Sequence, residues 1–266
     1  MMSSPSDIAV EAIRSRLTGR IIGRRLRVVA EIGSTNDAVM AAGHAGEPEG
    51  LAILADRQTS GRGRRGRSWA SLPGVGIWTS ILLRPPVSPL QAPLLTLMAG
   101  LATAEAIANV ARVAPLVKWP NDLLLDGRKV VGILTEMTTT EQRIGHVAIG
   151  IGINVHQRRE DFPEGVRESA TSIDLAAGFR VDRGDVAAAL YDSLDRWYGA
   201  VCSDGTSMIL QAARARTSTL GKPVTVDTGE AHWQGTAVDL DEDGALLVLD
   251  AEGAVRRVLA DDVSVR

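Results

Sequence analysis

The 266-residue sequence predicts an α+β fold in which a mixed, antiparallel-rich sheet is flanked by helices and a small all-β unit follows. Strand patterns are joined directly to one another more often than through helices, which favours antiparallel pairing. After Thr217 the helical patterns stop, and short strand patterns separated by glycines follow, as in small β-barrels. We therefore predict two domains, covering residues 1–217 and 218–266.

The individual elements follow from the spacing of apolar residues along the chain. We expect helices over 7–17, 34–42, 90–111, 185–201 and 208–216, and strands over 26–30, 51–55, 75–84, 123–125, 129–137, 147–155, 222–227, 231–240, 245–250 and 254–259. Ser34 is a suitable N-cap for the second helix, Asp37 lies in its first turn, and Gly43 is expected to end it. The pair Asp126-Gly127 favours a tight hairpin turn.

Composition excludes several classes of protein. The net charge of −3 argues against a general binder of polyanions, so any affinity for phosphates must come from local clusters. The single cysteine, Cys202, allows no disulfide within the chain and indicates a reducing cytoplasm; its apolar helical pattern predicts inert, buried packing. We find no uninterrupted apolar run of membrane-spanning length, no secretion signal over residues 1–7 and no metal-binding spacing of histidines.

The segment from Gly61 to Trp69, GRGRRGRSW, is the most informative part of the sequence, and we name it the arginine loop. Its four arginines repel one another unless an anion binds, and guanidinium groups bind phosphate and carboxylate in a fork. The glycines allow close backbone approach to a ligand, and Trp69 offers a flat face for stacking on a base. A strand pattern follows where a dinucleotide-binding G-x-G-x-x-G needs a helix. On its own the loop leaves open an anion site, a plain solvated loop and a nucleic-acid contact.

Further motifs stand in order around this loop. They are Ser34-Thr35-Asn36 and Gln58 before it, and Lys118-Trp119-Pro120-Asn121-Asp122, GRKVVGILTE over 127–136 and GIGIN over 150–154 after it. Together with the arginine loop, this set resembles the biotin protein ligases over about 34–155 and through the small β unit. The resemblance implies a class II synthetase-like catalytic domain followed by an SH3-like barrel. It also implies that biotin and ATP form biotinyl-5′-AMP and pyrophosphate, after which a lysine of a carrier domain takes the biotinyl group.

The resemblance also implies roles for individual residues. The first step brings two anions together, which requires preorganised positive charge, and the second requires that an ammonium group be oriented and deprotonated. The catalytic residues implied are Arg62, Lys129 and, for the incoming amine, Asp122. The biotin-binding residues implied are Ser34, Thr35, Asn36, Gln58, Gly61, Arg62, Gly63, Arg64, Lys129, Gly132, Gly150 and Gly152. The residues implied for ATP and the adenylate are Arg64, Arg67, Trp69, Asn121, Lys129 and Asn154.

Cofactors and partners follow from the same resemblance. We expect ATP with Mg²⁺, no metal held by the protein alone, and a carrier domain of acetyl-CoA carboxylase, another acyl-CoA carboxylase or pyruvate carboxylase. We also expect a cytoplasmic monomer or weak homodimer without membrane contact. The residues before Ser34 are too few for a helix-turn-helix domain, which predicts no DNA binding.

Two alternative functions stay open. The first is a lipoate ligase or lipoyl transferase of the related fold. It would not need the polar residues around Ser34 and Gln58, because lipoate has no ureido ring, and the arginine loop would not be expected in it. A nucleic-acid-binding module built on the arginine loop and the small barrel is disfavoured by the net charge of −3.

Overall fold

The computed structural model describes residues 8–203, 205–227 and 232–259. The helices are α1 (Val10–Arg14), α2 (Thr35–His44), α3 (Ala92–Ala111), α4 (Ile173–Ala177), α5 (Arg183–Ser203) and α6 (Ser207–Arg216). The strands are β1 (Arg25–Ile32), β2 (Leu51–Gln58), β3 (Gly76–Leu83), β4 (Leu116–Lys118), β5 (Asp122–Leu125), β6 (Arg128–Thr139), β7 (Ile144–Asn154), β8 (Pro223–Asp227), β9 (His232–Leu240), β10 (Leu246–Asp250) and β11 (Val255–Val258).

Within the described ranges, strands β1 to β7 form one sheet in the order β1-β2-β3-β7-β6-β5-β4. Strands β1 and β2 pair in parallel, and the other neighbours pair antiparallel. Asp126 and Gly127, between β5 and β6, have φ of 50° and 76°, as a primed hairpin turn requires. The predicted mixed, antiparallel-rich sheet and its tight turn are therefore confirmed.

The two faces of the sheet differ because side chains alternate along each strand. On β7, the residues that join the main core with α3 and α5 are Val147, Ile149, Ile151 and Ile153. Between them, Ala148 packs under α2 on the opposite face, and Gly150 and Gly152 follow on that face. One strand thus gives an apolar wall to the core and an almost side-chain-free surface to the other side.

Helix α2 partly covers this second face. Ser34 caps it by accepting a hydrogen bond from the Asp37 backbone N–H at 3.4 Å, as predicted. The prediction that Gly43 ends the helix is wrong, since α2 continues through His44. A Cβ at Gly43 would lie 2.3 Å from Cδ2 of His146, so close packing, and not a turn, requires glycine there.

Helix α3 lies in the main core. The segment Pro89–Ala111, with mean hydropathy 1.5, is long and apolar enough to cross a membrane by length and composition alone. However, 72% of its most apolar window is buried inside the protein. A helix that is apolar on every side and surrounded by protein is a core helix.

Strands β8 to β11 form a separate antiparallel sheet in the order β11-β10-β9-β8, which confirms the predicted SH3-like unit. Its apolar side chains, including Val224 and Leu246, belong to the same core as α3. Buried Trp119 joins the two parts, because its backbone N–H donates to Thr219 Oγ1 and its Nε1 to the Gly244 carbonyl, both at 3.0 Å. The small unit therefore holds the segment that follows β4, while the boundary at 217/218 stays a prediction.

Several local expectations need correction. Helix α1 covers only part of the predicted 7–17, and Asp7 and Ala231 lie outside the described residues. Strand β4 and helix α4 were not predicted, because three and five residues carry too little periodic pattern. The predicted burial of Cys202 is wrong: it is exposed at the end of α5, one residue beyond buried Val201.

Candidate active site

A cleft of about 560 Å³ opens on the sheet face that α2 partly covers. The predicted residues that line it are Ser34, Thr35, Asn36, Gln58, Arg62, Gly63, Arg64, Arg67, Trp69, Asn121, Asp122, Lys129, Gly132, Gly150, Gly152 and Asn154. Gly61 lies behind the lining, where a Cβ would come within 2.6 Å of the Trp69 carbonyl oxygen. Motifs far apart in sequence thus meet in one place.

The floor of the cleft is formed by glycines of β6 and β7. Gly132 pairs directly with Gly152, and the Trp69 indole lies against both. Cβ atoms at these positions would each come within 2.6 Å of the indole ring. At Gly150 a Cβ would lie 2.2 Å from Asn36 Oδ1. These positions are therefore glycine because the side chains of Trp69 and Asn36 occupy the space of a Cβ. The sequence alone could not distinguish this reason from close approach of a ligand.

A chain of hydrogen bonds, which we name the polar chain, runs through Gln58, Thr35, Ser80, Asn36 and Glu136. Gln58 Oε1 accepts from the Thr35 backbone N–H at 2.8 Å, and the hydroxyls of Thr35 and Ser80 are 2.7 Å apart. Ser80 donates to Asn36 Oδ1 at 2.6 Å, and Asn36 Nδ2 donates to Glu136 Oε2 at 2.7 Å. Up to Asn36 this wall offers neutral donors and acceptors beside the glycine floor, and it ends at the Glu136 carboxylate.

Ser80 and Glu136 were not among the site residues predicted from the sequence. Ser80 is fully buried in β3, where a polar residue inside an apolar strand is a signal that could have been used. Glu136 lies two and four residues after Leu134 and Gly132 on β6, so strand periodicity places it on the cleft face. Asp37 was recognised only as a residue of the first helical turn.

The arginine loop is a narrow hairpin. The Gly63 backbone N–H donates to the Arg67 carbonyl at 2.7 Å, and the Trp69 backbone N–H donates to the Gly61 carbonyl at 2.9 Å. Arg65 and Gly66 form its tip with φ of 58° and 69°. Two backbone hydrogen bonds close the hairpin and direct its arginines to the lining of the cleft.

Arg62 is held between two carboxylates. Its Nη1 and Nη2 each donate to Asp37 at 2.7 Å, and Nη2 also donates to Glu136 at 2.9 and 3.0 Å. Hydrogen bonding from Arg62 keeps the pKa of Asp37 below its ordinary value, and the Asp37 and Glu136 bonds raise the pKa of Arg62. Arg62 thus carries a permanent charge that two carboxylates compensate.

Arg64 lies at the other end of the cleft. Its Nη1 donates to Asn121 Oδ1 at 3.1 Å, and Asn121 Nδ2 donates to the Ile133 carbonyl at 2.8 Å. The segment between β4 and β5 contains the cis peptide bond Trp119–Pro120. Strand β6 therefore fixes the Asn121 side chain, and Asn121 in turn positions Arg64.

Lys129 lies at the start of β6, as the sequence predicts. Its Nζ is 2.5 Å from Asp122 Oδ1 and 5.2 Å from the centre of the Trp69 ring. Its backbone is also held, because its N–H donates to the Ser169 carbonyl at 2.7 Å. Lys129 and Asp122, both predicted to be catalytic, are thus in direct contact, and Lys129 lies beside the indole that covers the glycine floor.

Asn154, at the end of β7, holds the neighbouring segment. Its Nδ2 donates to the Thr171 carbonyl at 3.1 Å, and its Oδ1 accepts from Gln157 at 3.0 Å. Asn154 is 6% exposed, and both ends of its amide are used within the protein. Its contacts are those of a residue that shapes the wall of the cleft.

The charge of the lining is strongly positive. The cationic side chains are Arg62, Arg64, Arg65, Arg67, Lys118 and Lys129, and the single carboxylate among the lining residues is Asp122. Such a surface attracts anions with fork-shaped and point-like donors. In the part of the chain that the structure describes, no three His, Cys, Asp or Glu side chains are grouped as metal ligands.

Models of two protein families match this chain. The model of the biotin/lipoate A/B protein ligase family matches residues 28–154, and that of the biotin protein ligase C-terminal domain matches residues 219–266. The chain is 34% identical over 263 residues to the bifunctional ligase/repressor BirA of Bacillus spizizenii, covering 99% of this chain and 81% of the relative. It is 36% identical to the biotin–[acetyl-CoA-carboxylase] ligase of Mycobacterium tuberculosis, covering 95% and 93%.

Solved structures give the same result. The biotin protein ligase of Aquifex aeolicus in complex with biotin and ATP superposes with a TM-score of 0.79 at 31% identity, covering 91% of this chain and 99% of that one. The Leishmania major biotin protein ligase in complex with biotinyl-5-AMP gives 0.60 at 25% identity, covering 89% and 99%.

Proposed function

The chain belongs to the biotin protein ligase family, and from this premise we propose which of its residues carry the reaction. The enzyme activates biotin with ATP and transfers biotin to a carrier protein. A carboxylate oxygen of biotin attacks the α-phosphorus of ATP, which forms biotinyl-5′-AMP and releases pyrophosphate. A lysine amine of the carrier then attacks the biotinyl carbonyl, the amine loses a proton, and AMP leaves.

Biotin binds, in our proposal, with its ureido ring on the polar chain. A ureido group presents one carbonyl acceptor and two N–H donors, and Gln58, Thr35, Ser34 and Asn36 supply both kinds of partner at one wall. The buried hydroxyl of Ser80 keeps Thr35 and Asn36 in register. Lipoate has no such group, so this wall supports biotin over lipoate as the substrate.

The adenylate lies, in our proposal, between Trp69, Arg64 and Asn121. The Trp69 indole gives a flat surface for the adenine, and the guanidinium of Arg64 faces the phosphate. Arg67 and Asn154 also line the cleft. ATP enters as its Mg²⁺ complex, with the metal held mainly by the phosphates, as Mg²⁺ prefers oxygen ligands and retains water.

Charge compensation for the first step comes from Arg62, Arg64 and Lys129. Two anions must approach within bonding distance, and preorganised cations offset their repulsion while the pentacoordinate phosphorus develops. Lys129 is supported in this role by its fixed backbone and by its position beside Trp69. The glycines of the floor, with Gly61 and Gly63 in the loop, allow these groups to close around the ligand.

Asp122 is assigned to the second step. The incoming lysine is mostly ammonium at neutral pH, since its reference pKa is about 10.4. The Asp122 carboxylate in the lining of the cleft orients this group and takes its proton. The ion pair with Lys129 Nζ at 2.5 Å supports the assignment, because it places the Asp122 carboxylate beside an ammonium group.

Partners and location complete the proposal. The carrier is a biotin carboxyl carrier domain of an acyl-CoA or pyruvate carboxylase, and the exposed free thiol of Cys202 suits a reducing cytoplasm. Two domains, 1–217 and 218–266, divide catalysis from the small β unit that supports Trp119. The absence of DNA binding and a monomeric or weakly dimeric state stay predictions.

The main support for this proposal is that the polar chain and the arginine loop lie in one cleft. It is tested by pyrophosphate release from ATP with biotin or lipoate as the acid. We expect release with biotin and at most background release with lipoate. Equal rates with both acids would contradict the assignment of the polar chain to the ureido ring.

A further inference from the structure

Glu136 contacts two parts of the cleft that have separate tasks. One of its oxygens accepts from Asn36 Nδ2 at 2.7 Å, and both accept from Arg62 Nη2 at 2.9 and 3.0 Å. Asn36 leads into the polar chain, whereas Arg62 belongs to the arginine loop. The Glu136 backbone is itself fixed in β6, opposite Ala148 of β7. A single carboxylate on a rigid strand, the last member of the polar chain, therefore joins that chain to the arginine loop.

The contact between Glu136 and Arg62 affects how an anionic ligand can approach Arg62. Asp37 and Glu136 together place two negative charges against the single positive charge of Arg62. A carboxylate or phosphate that approaches Arg62 therefore meets local repulsion as long as both carboxylates stay in place. Moving Glu136 away from Arg62 would reduce this repulsion.

The Arg62–Glu136 pair differs from an ordinary surface ion pair. The side chains of Arg62 and Glu136 are 38% and 34% exposed, and Glu136 has Asn36 as a neutral third partner. Arg57 and Glu31, on neighbouring strands, form a pair of similar length at 2.8 Å but are 52% and 53% exposed. Exposed pairs of that kind contribute little to stability. Glu31 thus provides a matched control outside the cleft.

We propose that Glu136 is a positioning residue that couples biotin binding on the polar chain to the placement of Arg62. Biotin binding changes the Asn36–Glu136 contact, and Glu136 then yields Arg62 to the biotin carboxylate and the α-phosphate. Glu136 touches neither reacting atom. This inference rests on the proposed function, since it needs biotin on the polar chain.

The test measures biotin binding without chemistry, by calorimetry in the absence of ATP. Four proteins are compared: wild type, Arg62→Ala, Glu136→Gln and the double variant. In wild type, removing Arg62 exposes the bound carboxylate to two uncompensated carboxylates, so we expect the Kd for biotin to rise about tenfold. In the Glu136→Gln background one of these charges is gone, so we expect Arg62→Ala to raise Kd about threefold or less.

Equal factors in the two backgrounds would overturn the inference, because independent sites are additive. The control Glu31→Gln should leave both the biotin Kd and the effect of Arg62→Ala unchanged. If Glu136→Gln does not fold, Asn36→Ala replaces it and should show the same non-additivity with Arg62, although no hydrogen bond joins these two residues directly. Additivity there would equally contradict the coupling.

Failure of the inference can be told from failure of the proposed function. If wild type binds biotin and forms biotinyl-5′-AMP while the factors are equal, the coupling is wrong and the ligase assignment stands. If wild type forms no biotinyl-5′-AMP, the assignment of the cleft itself is contradicted, and the coupling with it.

Discussion

Trp69 packs against Gly152 so closely that a Cβ at position 152 would lie 2.6 Å from the indole Nε1. Gly132, paired with Gly152 across β6 and β7, is equally close to the six-membered part of the same ring. The position of the proposed adenine-stacking residue is thus set by two facing glycines, and any side chain there must displace it.

Gly152→Ala should therefore impair use of ATP. The added methyl pushes the indole off the floor, and a misplacement of about 1 Å can cost about 100-fold in rate. We expect the KM for ATP in adenylate formation to rise about tenfold or more, with a smaller effect on the affinity for biotin. Steady-state pyrophosphate release at varied ATP measures this effect.

Gly199→Ala serves as the matched control. Gly199 lies in α5 with nothing within 4 Å of its virtual Cβ, so alanine should be neutral or stabilising by about 0.5–1 kcal/mol. An unchanged KM for ATP in Gly152→Ala would show that Trp69 does not set nucleotide binding.

Arg62 and Asp122 should separate the two half-reactions. Arg62→Ala should slow formation of biotinyl-5′-AMP about 100-fold, because it removes a preorganised cation and leaves Asp37 and Glu136 uncompensated. Asp122→Ala should slow transfer from preformed adenylate far more than it slows adenylate formation. Single-turnover measurement of each step decides, and comparable losses of both variants in the first step would refute this division of labour.

Trypsin should report the state of the arginine loop. Residues 61–70 contain four arginines, so cleavage within the loop follows its accessibility. We expect rapid cleavage in the free protein and at least about tenfold slower cleavage with biotinyl-5′-AMP, since ligand binding lowers the population of open conformations. Cleavage elsewhere provides the internal control, and equal rates of loop cleavage in both states would contradict a ligand-ordered loop.

The buried side chain of His146 predicts a pH dependence of stability. Burial, followed by the charges of His44 and Arg84, lowers its pKa below the ordinary value of 6.5. The unfolded chain then binds more protons than the folded protein as the pH falls through 6.5, so stability falls on acidification until the folded pKa is passed.

Thermal unfolding measured at about pH 7.5 and about pH 5.5 tests this. We expect the Tm of wild type to fall more over this interval than that of His146→Gln. His232→Gln, at an exposed position on β9, should behave as wild type. The same decrease in His146→Gln as in wild type would assign the effect to other groups.

Much of the fold could be predicted because strong local patterns agree with it. The alternation in GHVAIGIGIN gives β7, and Asp126-Gly127 gives the turn before β6. The early end assigned to α2 was wrong because a glycine normally stops a helix, whereas the reason for Gly43 lies in its contact with His146, about 100 residues away.

The residues of the cleft could be predicted from the sequence, but the contacts between them could not. The motifs named Arg62, Lys129 and Asp122, yet they gave no indication that Lys129 and Asp122 form an ion pair or that Glu136 holds Arg62. Lys129 and Asp122 lie on the paired strands β6 and β5, whose register shifts between Leu123 and Leu124, and Arg62 reaches Glu136 from a loop outside the sheet. Sequence spacing specifies neither arrangement. Ser80 could have been noticed as a polar residue inside an apolar strand, but its partners Thr35 and Asn36 are known only from the way β3 passes beneath α2.

Transfer of labelled biotin to an unmodified biotin carboxyl carrier domain in the presence of MgATP is the decisive test of the ligase assignment. We expect one biotinyl group per carrier, attached to its target lysine, with one pyrophosphate released for each transfer and no labelling when that lysine is replaced by arginine. Absence of protein-bound biotin under these conditions, or labelling that persists without the target lysine, would contradict it.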